Sequence, residues 1–345
     1  MDRLYTIIYL MIALTLVSAC QSESDGTPSQ EQEALNESTG DPAIDQVSAQ
    51  IDERPGDAEL YFERGNIYVD REVYSEAIRD FTMAMELQEG KAKYYEALAD
   101  AYLNNNMSFD ALEVMKDAYE AFPDSTHVGL KLAKYHLILE QYLASMNLTN
   151  KIIQEQPGLA DAYLFRGMIY REMETPLKAM ESFQTAVELD AGLTDAWIIM
   201  GEMMGEEDLD LASRFYQNAE RSAPNELRPI HAHALFLHQN EQWEAAIAKY
   251  KEAHEKDPSA SKTFYNAGLL YLELDSLSDA KAMFDIALGN DPLFAKAYYY
   301  RGMAAEWQEN GAEALEFYQR AEQIDPTIPT LSDRIRDLKS EKEKE

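Results

Sequence analysis

The sequence predicts an all-α chain, an array of about eight helical hairpins closed by a C-terminal capping helix, and two observations carry that expectation. Pro55, Pro123, Pro157, Pro224, Pro258, Pro292 and Pro326 are separated by 68, 34, 67, 34, 34 and 34 residues, multiples of 34 with one residue missing once. Within each period, small and aromatic residues recur at offsets of three, four and seven, which share one face of a helix. Units of this length bury a continuous core only by packing on their neighbours.

Ahead of the array, residues 1–19 have the layout of a secretory signal. Arg3 precedes the uncharged run LYTIIYLMIALTL at residues 4–16, and the small Ser18 and Ala19 precede Cys20. The run is shorter than the ~20 residues a helix needs to span a bilayer. Val17, Ser18, Ala19 and Cys20 resemble the lipobox of bacterial lipoproteins, which implies cleavage before Cys20 and a diacylglyceryl group, with palmitate-type chains, on its sulfur. The chemistry suits a cysteine, because the thiolate is the nucleophile that takes up the alkyl group. Cys20 is also the one cysteine of 345 residues, so no intramolecular disulfide is available. The expected location is the cell envelope, lipid-anchored, with the outer membrane favoured and the chain facing the periplasm or the cell surface.

Residues 20–42 read as the lipidated cysteine and an acidic tether. QSESDGTPSQEQEALNESTGDP, residues 21–42, carries six acids and no base. Such a segment cannot bury enough surface to offset its ordering, and as a flexible coil it spans about 25 Å. Charge narrows the partners further. The net charge of −33 leaves no basic footprint for nucleic acid or anionic lipid headgroups, so the bilayer is reached through the acyl chains alone.

The repeats begin after a capping half repeat at 43–55, PAIDQVSAQIDERP with its preceding proline, in which Ala43, Val47 and Pro55 fall in phase. Eight units fill residues 56–326. The first aromatic position holds Tyr61, Tyr95, Tyr163, Trp197, Phe264 and Tyr298, with Gly129 and Ile230 departing. Four residues on, the small position holds Gly65, Ala99, Ala133, Gly167, Gly201, Ala234, Gly268 and Gly302. In the second helix a small residue recurs from Ala77 to Ala314, and four places later a larger one, as in Phe81, Phe183, Tyr250 and Tyr318. Small residues let paired helices approach and aromatics fill the gap beside them, while the proline, lacking an N–H, ends the second helix. ELYFERGNIY, DAYLFRGMIY and KAYYYRGMAA show the recurrence directly. This pattern resembles the tetratricopeptide repeat over about residues 55–326. The resemblance implies a right-handed α-solenoid.

Two units depart. The third has Gly129, His136 and Thr149 at signature positions, which predicts looser or skewed packing; the fifth lacks one residue, and its turn reads GEEDLD. After Pro326, Leu331, Ile335 and Leu338 sit at i, i+4 and i+7, so residues 327–345 read as a capping helix with a charged tail.

No catalytic constellation is present. His231 and His233 point to different helix faces, and His231 lies seven residues from His238, ~10.5 Å along a helix axis, too far to share a metal ion. GEEDLD lacks the spaced oxygens and glycine of a calcium loop. There is no glycine-rich phosphate loop or G-x-S-x-G elbow, so neither cofactor, metal nor enzymatic activity is expected.

The resemblance does imply a binding face, since arrays of this family hold peptides or helices along the concave side lined by each first helix. The residue after the first aromatic gives Phe62, Glu96, Leu130, Leu164, Ile198, His231, Tyr265 and Tyr299, and four further on stand Asn66, Asp100, Lys134, Met168, Glu202, Leu235, Leu269 and Met303. The apolar members, Phe62, Leu130, Leu164, Met168, Ile198, Leu235, Tyr265, Leu269, Tyr299 and Met303, are the candidate partner-binding residues. Curvature or a folded-back terminal helix could bury part of this stripe. The Lys and Asn clamp that some members use for acidic C-terminal tails is incomplete, because Phe62 and Asn66 occupy its first pair. The expected function is an envelope scaffold or adaptor for protein segments, in complex assembly or secretion. A surface-exposed binder of nutrients or glycans is the alternative, since Ser22, Glu23, Ser24 and Asp25 resemble an export tag of surface lipoproteins in Bacteroidota.

Overall fold

The computed structural model describes residues 40–205 and 207–342. The signal segment, Cys20 and nearly all of the tether lie outside the described residues. Among these residues every regular element is a helix: α1 (Pro42–Glu53), α2 (Ala58–Asp70), α3 (Tyr74–Leu87), α4 (Ala92–Asn104), α5 (Ser108–Ala121), α6 (Thr126–Ile138), α7 (Tyr142–Glu155), α8 (Ala160–Glu172), α9 (Pro176–Leu189), α10 (Thr194–Met204), α11 (Leu209–Ser222), α12 (Leu227–Gln239), α13 (Trp243–Lys256), α14 (Ser261–Glu273), α15 (Leu277–Asn290), α16 (Ala295–Trp307), α17 (Gly311–Ile324) and α18 (Leu331–Lys342). Two bodies are distinguished, up to Val114 and from Met115 onward.

In both bodies the second helix packs its aromatic side chain against the small residue of its own first helix. A Cβ added at Gly65, Gly167, Gly201, Gly268 or Gly302 would come within 2.5–2.8 Å of Phe81, Phe183, Tyr216, Phe284 or Tyr318 respectively. Glycine is therefore the residue that lets those rings close on the first helix. Ala77, Ala179, Ala212, Ala246, Ala280 and Ala314, one turn before the rings, are fully buried.

Prolines sit two residues beyond the helix ends they terminate: Glu155 precedes Pro157, Lys256 precedes Pro258 and Asn290 precedes Pro292. The turn inside each hairpin is closed differently. After the first helix the chain enters the left-handed region at Glu72, Asn106, Glu140, Glu174, Glu241, Asp275 and Glu309, with φ between 54° and 60°. The next amide then reaches back five residues, as Val73 to Tyr68 at 2.9 Å and Thr175 to Tyr170 at 2.9 Å, the six-to-one bond of a Schellman closure.

The fifth hairpin absorbs its missing residue here. Its first helix, α10, has 11 residues where its counterparts have 13, and Asp208 takes over as N-cap, accepting from the Leu211 amide at 2.9 Å. The third hairpin keeps the usual helix lengths of 13 and 14 residues, but its packing leaves the buried Thr149 hydroxyl without a hydrogen-bond partner among the described residues. Ile152 packs beside Gly129, and the Ser145 hydroxyl donates to the Ala133 carbonyl at 2.7 Å.

At the start of the first body, α1 buries Ile44, Val47 and Ile51. Ala43, in phase by sequence, is exposed, because no first helix among the described residues packs against that side of α1. At the end of the second body, Leu331 and Ile335 of α18 are buried against Tyr299, Tyr318 and Ala321. Arg334 is paired with Glu306 at 2.7 Å, which ties the capping helix to α16.

Candidate partner-binding face

The first helices present the predicted stripe, and the two bodies use it differently. In the first body Phe62 is half-buried between Phe81 and Tyr94, with ring centroids 5.6 and 5.3 Å away. The Lys93 ammonium stands 4.6 Å over its ring and pairs with Glu59. Glu59 also accepts from the Tyr94 hydroxyl at 2.9 Å, and burial together with that carboxylate pushes the phenol up to about 12. A cation held over an aromatic face by its own carboxylate is a preformed rim.

In the second body the stripe divides into three parts. Leu130 and Ile198 are buried, at 8% and 6% exposure, and serve the packing: Leu130 against Ile152 and Ala162, Ile198 against Tyr216 and Phe236. Tyr299 and Met303 lie beside α18, where the Tyr299 hydroxyl shares a 3.0 Å hydrogen bond with Thr330. The capping helix thus covers the C-terminal end of the stripe. Leu164 and Met168 on α8, Leu235 on α12, and Tyr265 and Leu269 on α14 remain half-buried. Tyr265 is steadied by Phe294 at 4.8 Å and Tyr300 at 5.9 Å.

Polar pairs run along these five residues from one first helix to the next. Arg171 faces Glu202 at 3.8 Å, Arg228 pairs with Asp195, and Asn266 meets the His231 Nε2 at 2.8 Å. Burial, aided by Lys262 and His254, holds His231 below the usual imidazole range, so it is neutral at pH 7. The other two histidines of this helix have separate partners. His233 contacts Glu220 at 2.7 Å and Ser213 at 3.0 Å, whereas His238 contacts Tyr250 and Glu273, both at 3.2 Å. Among the described residues no group of three or more His, Cys, Asp or Glu side chains is placed to hold a metal ion. Nor is any described helix long and apolar enough to cross a membrane.

Two features escaped the sequence reading. Arg64, Arg166 and Arg301 share one repeat position, visible as the arginine before glycine in ERG, FRG and YRG, and each reaches into the groove beside a second helix. Arg64 meets Asp80, Arg166 meets Ser182, and Arg301 bridges Asp285 and Glu313, at 2.7 to 3.1 Å. The most exposed apolar side chains of the second body also lie off the stripe. Leu143 and Leu177, 74% and 82% exposed, stand 34 residues apart at the start of second helices.

Comparison with known proteins agrees with this geometry. Models described as tetratricopeptide repeat match residues 160–192 and 265–329. A DnaJ homolog subfamily C member 7 homolog of Dictyostelium discoideum is 23% identical over 220 residues, which is 62% of this chain and 37% of that protein. The human mitochondrial import receptor subunit TOM70 is 23% identical over 198 residues, 55% of this chain and 32% of that one. The chain therefore spans about a third of the length of these relatives. The crystal structure of yeast Tom70 superposes with a TM-score of 0.59 at 16% identity, covering 95% of this chain and 67% of that chain. Residues 160–192 and 265–329 are tetratricopeptide repeats, and the fold built from the chain's helical hairpins is the tetratricopeptide-repeat fold.

Proposed function

We propose that the chain is a lipid-anchored, non-enzymatic scaffold or adaptor of a bacterial envelope, holding segments of partner proteins on the first-helix face of its second body. A protein-binding scaffold is what the tetratricopeptide fold suggests, and one observation carries the choice of surface. Leu164, Met168, Leu235, Tyr265 and Leu269 recur at the same two positions of α8, α12 and α14, half-buried and bordered by charge. An apolar stripe of that kind, bordered by paired charges on a chain of net charge −33, favours an extended or helical segment that is neutral or basic. Leu164→Asp and Leu235→Asp should each remove the native partner from an affinity capture while the helical circular dichroism stays unchanged. An unchanged capture profile would remove this face from consideration.

The anchor is proposed on sequence grounds. The lipobox-like Val17, Ser18, Ala19 and Cys20 supply the modified thiol, and the tether separates the bilayer from the folded repeats, its last two residues, Asp41 and Pro42, being the N-cap and first residue of α1. Cys20→Ser should abolish incorporation of an alkynyl palmitate and release the chain from the membrane fraction. Retention of label would contradict the assignment.

A further inference from the structure

One packing position varies widely from hairpin to hairpin. Three residues after the first aromatic, the eight hairpins carry Arg64, Leu98, Leu132, Arg166, Met200, His233, Ala267 and Arg301. Arg64, Arg166, His233 and Arg301 each reach a side chain of a second helix, and the alanine of the seventh hairpin has no atoms to do so. Beside Ala267 the structure has a cavity of ≈ 340 Å³. Ile247, Tyr250, Lys251 and His254 form one wall, a single face of α13 at i, i+3, i+4 and i+7, and Met283 of α15 stands among the other lining residues. None of the stripe residues lines it, so the cavity is separate from the partner-binding face.

The walls offer shape and one charge. The Tyr250 hydroxyl is already engaged with His238 at 3.2 Å, and the His254 ring is stacked on Phe264 at 3.8 Å. Burial holds His254 below the usual imidazole range, so this ring is neutral at pH 7. Lys251 is the one ionised group of the lining; it is exposed at the rim and has no ion pair among the described residues. The volume is at the small end of ligand sites, which run from roughly 300 to 1,000 Å³. The Met283 thioether can adapt to a ring.

We propose that this cavity binds a small apolar carboxylate, its ring or short hydrocarbon body in the space Ala267 leaves open and its carboxylate on the Lys251 ammonium. The lone cation at the mouth of a neutral apolar cavity selects an acid over an alcohol or an amine of the same shape.

Titration calorimetry of the whole chain with 3-phenylpropionate, and in parallel with 3-phenylpropan-1-ol, tests this. Saturable one-site binding of the acid is expected, weaker for the alcohol. Ala267→Met, which installs the residue found at this position in the fifth hairpin, should abolish binding of both. Lys251→Gln should weaken the acid about fivefold and leave the alcohol unchanged. Should Ala267→Met fail to fold, Ile247→Phe narrows the same space from the opposite wall and carries the same expectation. Absence of saturable binding, or binding that survives filling of the cavity, would overturn the site. Equal affinity for acid and alcohol, unaffected by Lys251→Gln, would overturn the carboxylate.

Discussion

Arg64 donates to Asp80 twice, from Nε to Oδ2 and from Nη2 to Oδ1, both at 2.7 Å, and its third nitrogen reaches the Ser48 hydroxyl at 2.9 Å. One guanidinium thereby links α1, α2 and α3 with almost no solvent contact. Burial pushes the Asp80 carboxyl up, and the Arg64 bonds oppose that rise. Removing one member leaves the other charge buried alone, so Asp80→Ala should lower stability by about 3–5 kcal/mol. The next hairpin has Leu98 and Val114 at these positions. Arg64→Leu combined with Asp80→Val should recover most of the loss in urea unfolding, and equal losses for the single and double variants would contradict the pairing.

The close contact of Gly167 with Phe183 makes a second expectation. A methyl group there would sit 2.5 Å from the ring, and overpacking of this kind costs about 1–3 kcal/mol. Gly167→Ala should lower the unfolding midpoint accordingly. Phe183→Met in the same chain should relieve it, since the second hairpin carries Ala99 and Met115 at the two positions.

The inner turns of the hairpins have unequal tolerance for glycine and alanine. Glu140 has φ of 57°, a conformation costing a side-chain-bearing residue roughly 1–2 kcal/mol, so Glu140→Gly should raise stability by somewhat less than that. Asp208, at φ −148° in the fifth hairpin, is instead an N-cap, and Asp208→Ala should lose about 1 kcal/mol. Thermal unfolding of the two variants should therefore shift in opposite directions.

Stability should also fall on the acid side in two stages. His231 and His254 are held by burial below the unfolded value of 6.5, so the unfolded chain binds more protons in that window. Stability is then lost as pH falls from 6.5 toward their folded values. Burial alone would raise Glu220 and Glu313, but hydrogen bonds from His233 and Lys249 in one case, and from Lys281 and Arg301 in the other, bring both below 4.5. Their contribution is present above 4.5 and lost as pH drops through the lowered values. Urea midpoints between pH 7.5 and 3 should show both slopes, and His231→Leu with His254→Leu should flatten the first.

The fold was legible because its determinants are periodic and local. The proline spacing located the second-helix ends, the glycine and aromatic positions located the hairpin contacts, and Leu331 and Ile335 were readable as an apolar face awaiting a core. The candidate face was legible only as positions. Whether Ile198 or Leu235 stays accessible depends on how far neighbouring side chains reach, and Phe236 and Tyr216, outside the stripe, bury the former. Tyr299 and Met303 depend on where α18 docks. The arginine contacts beside the second helices join residues mostly 16 apart and follow no helical offset, so only the repeated arginine before glycine could have signalled them.

The central claim is that the first-helix face of the second body holds a partner segment. Photo-crosslinking in the native cell, with benzoylphenylalanine replacing Met168 or Leu235, tests it most directly, and Leu189, 45% exposed at the end of α9, is the control position. The account predicts one discrete protein adduct shared by the Met168 and Leu235 positions and missing from Leu189. No adduct at either stripe position, or the same adducts from all three positions, would contradict it.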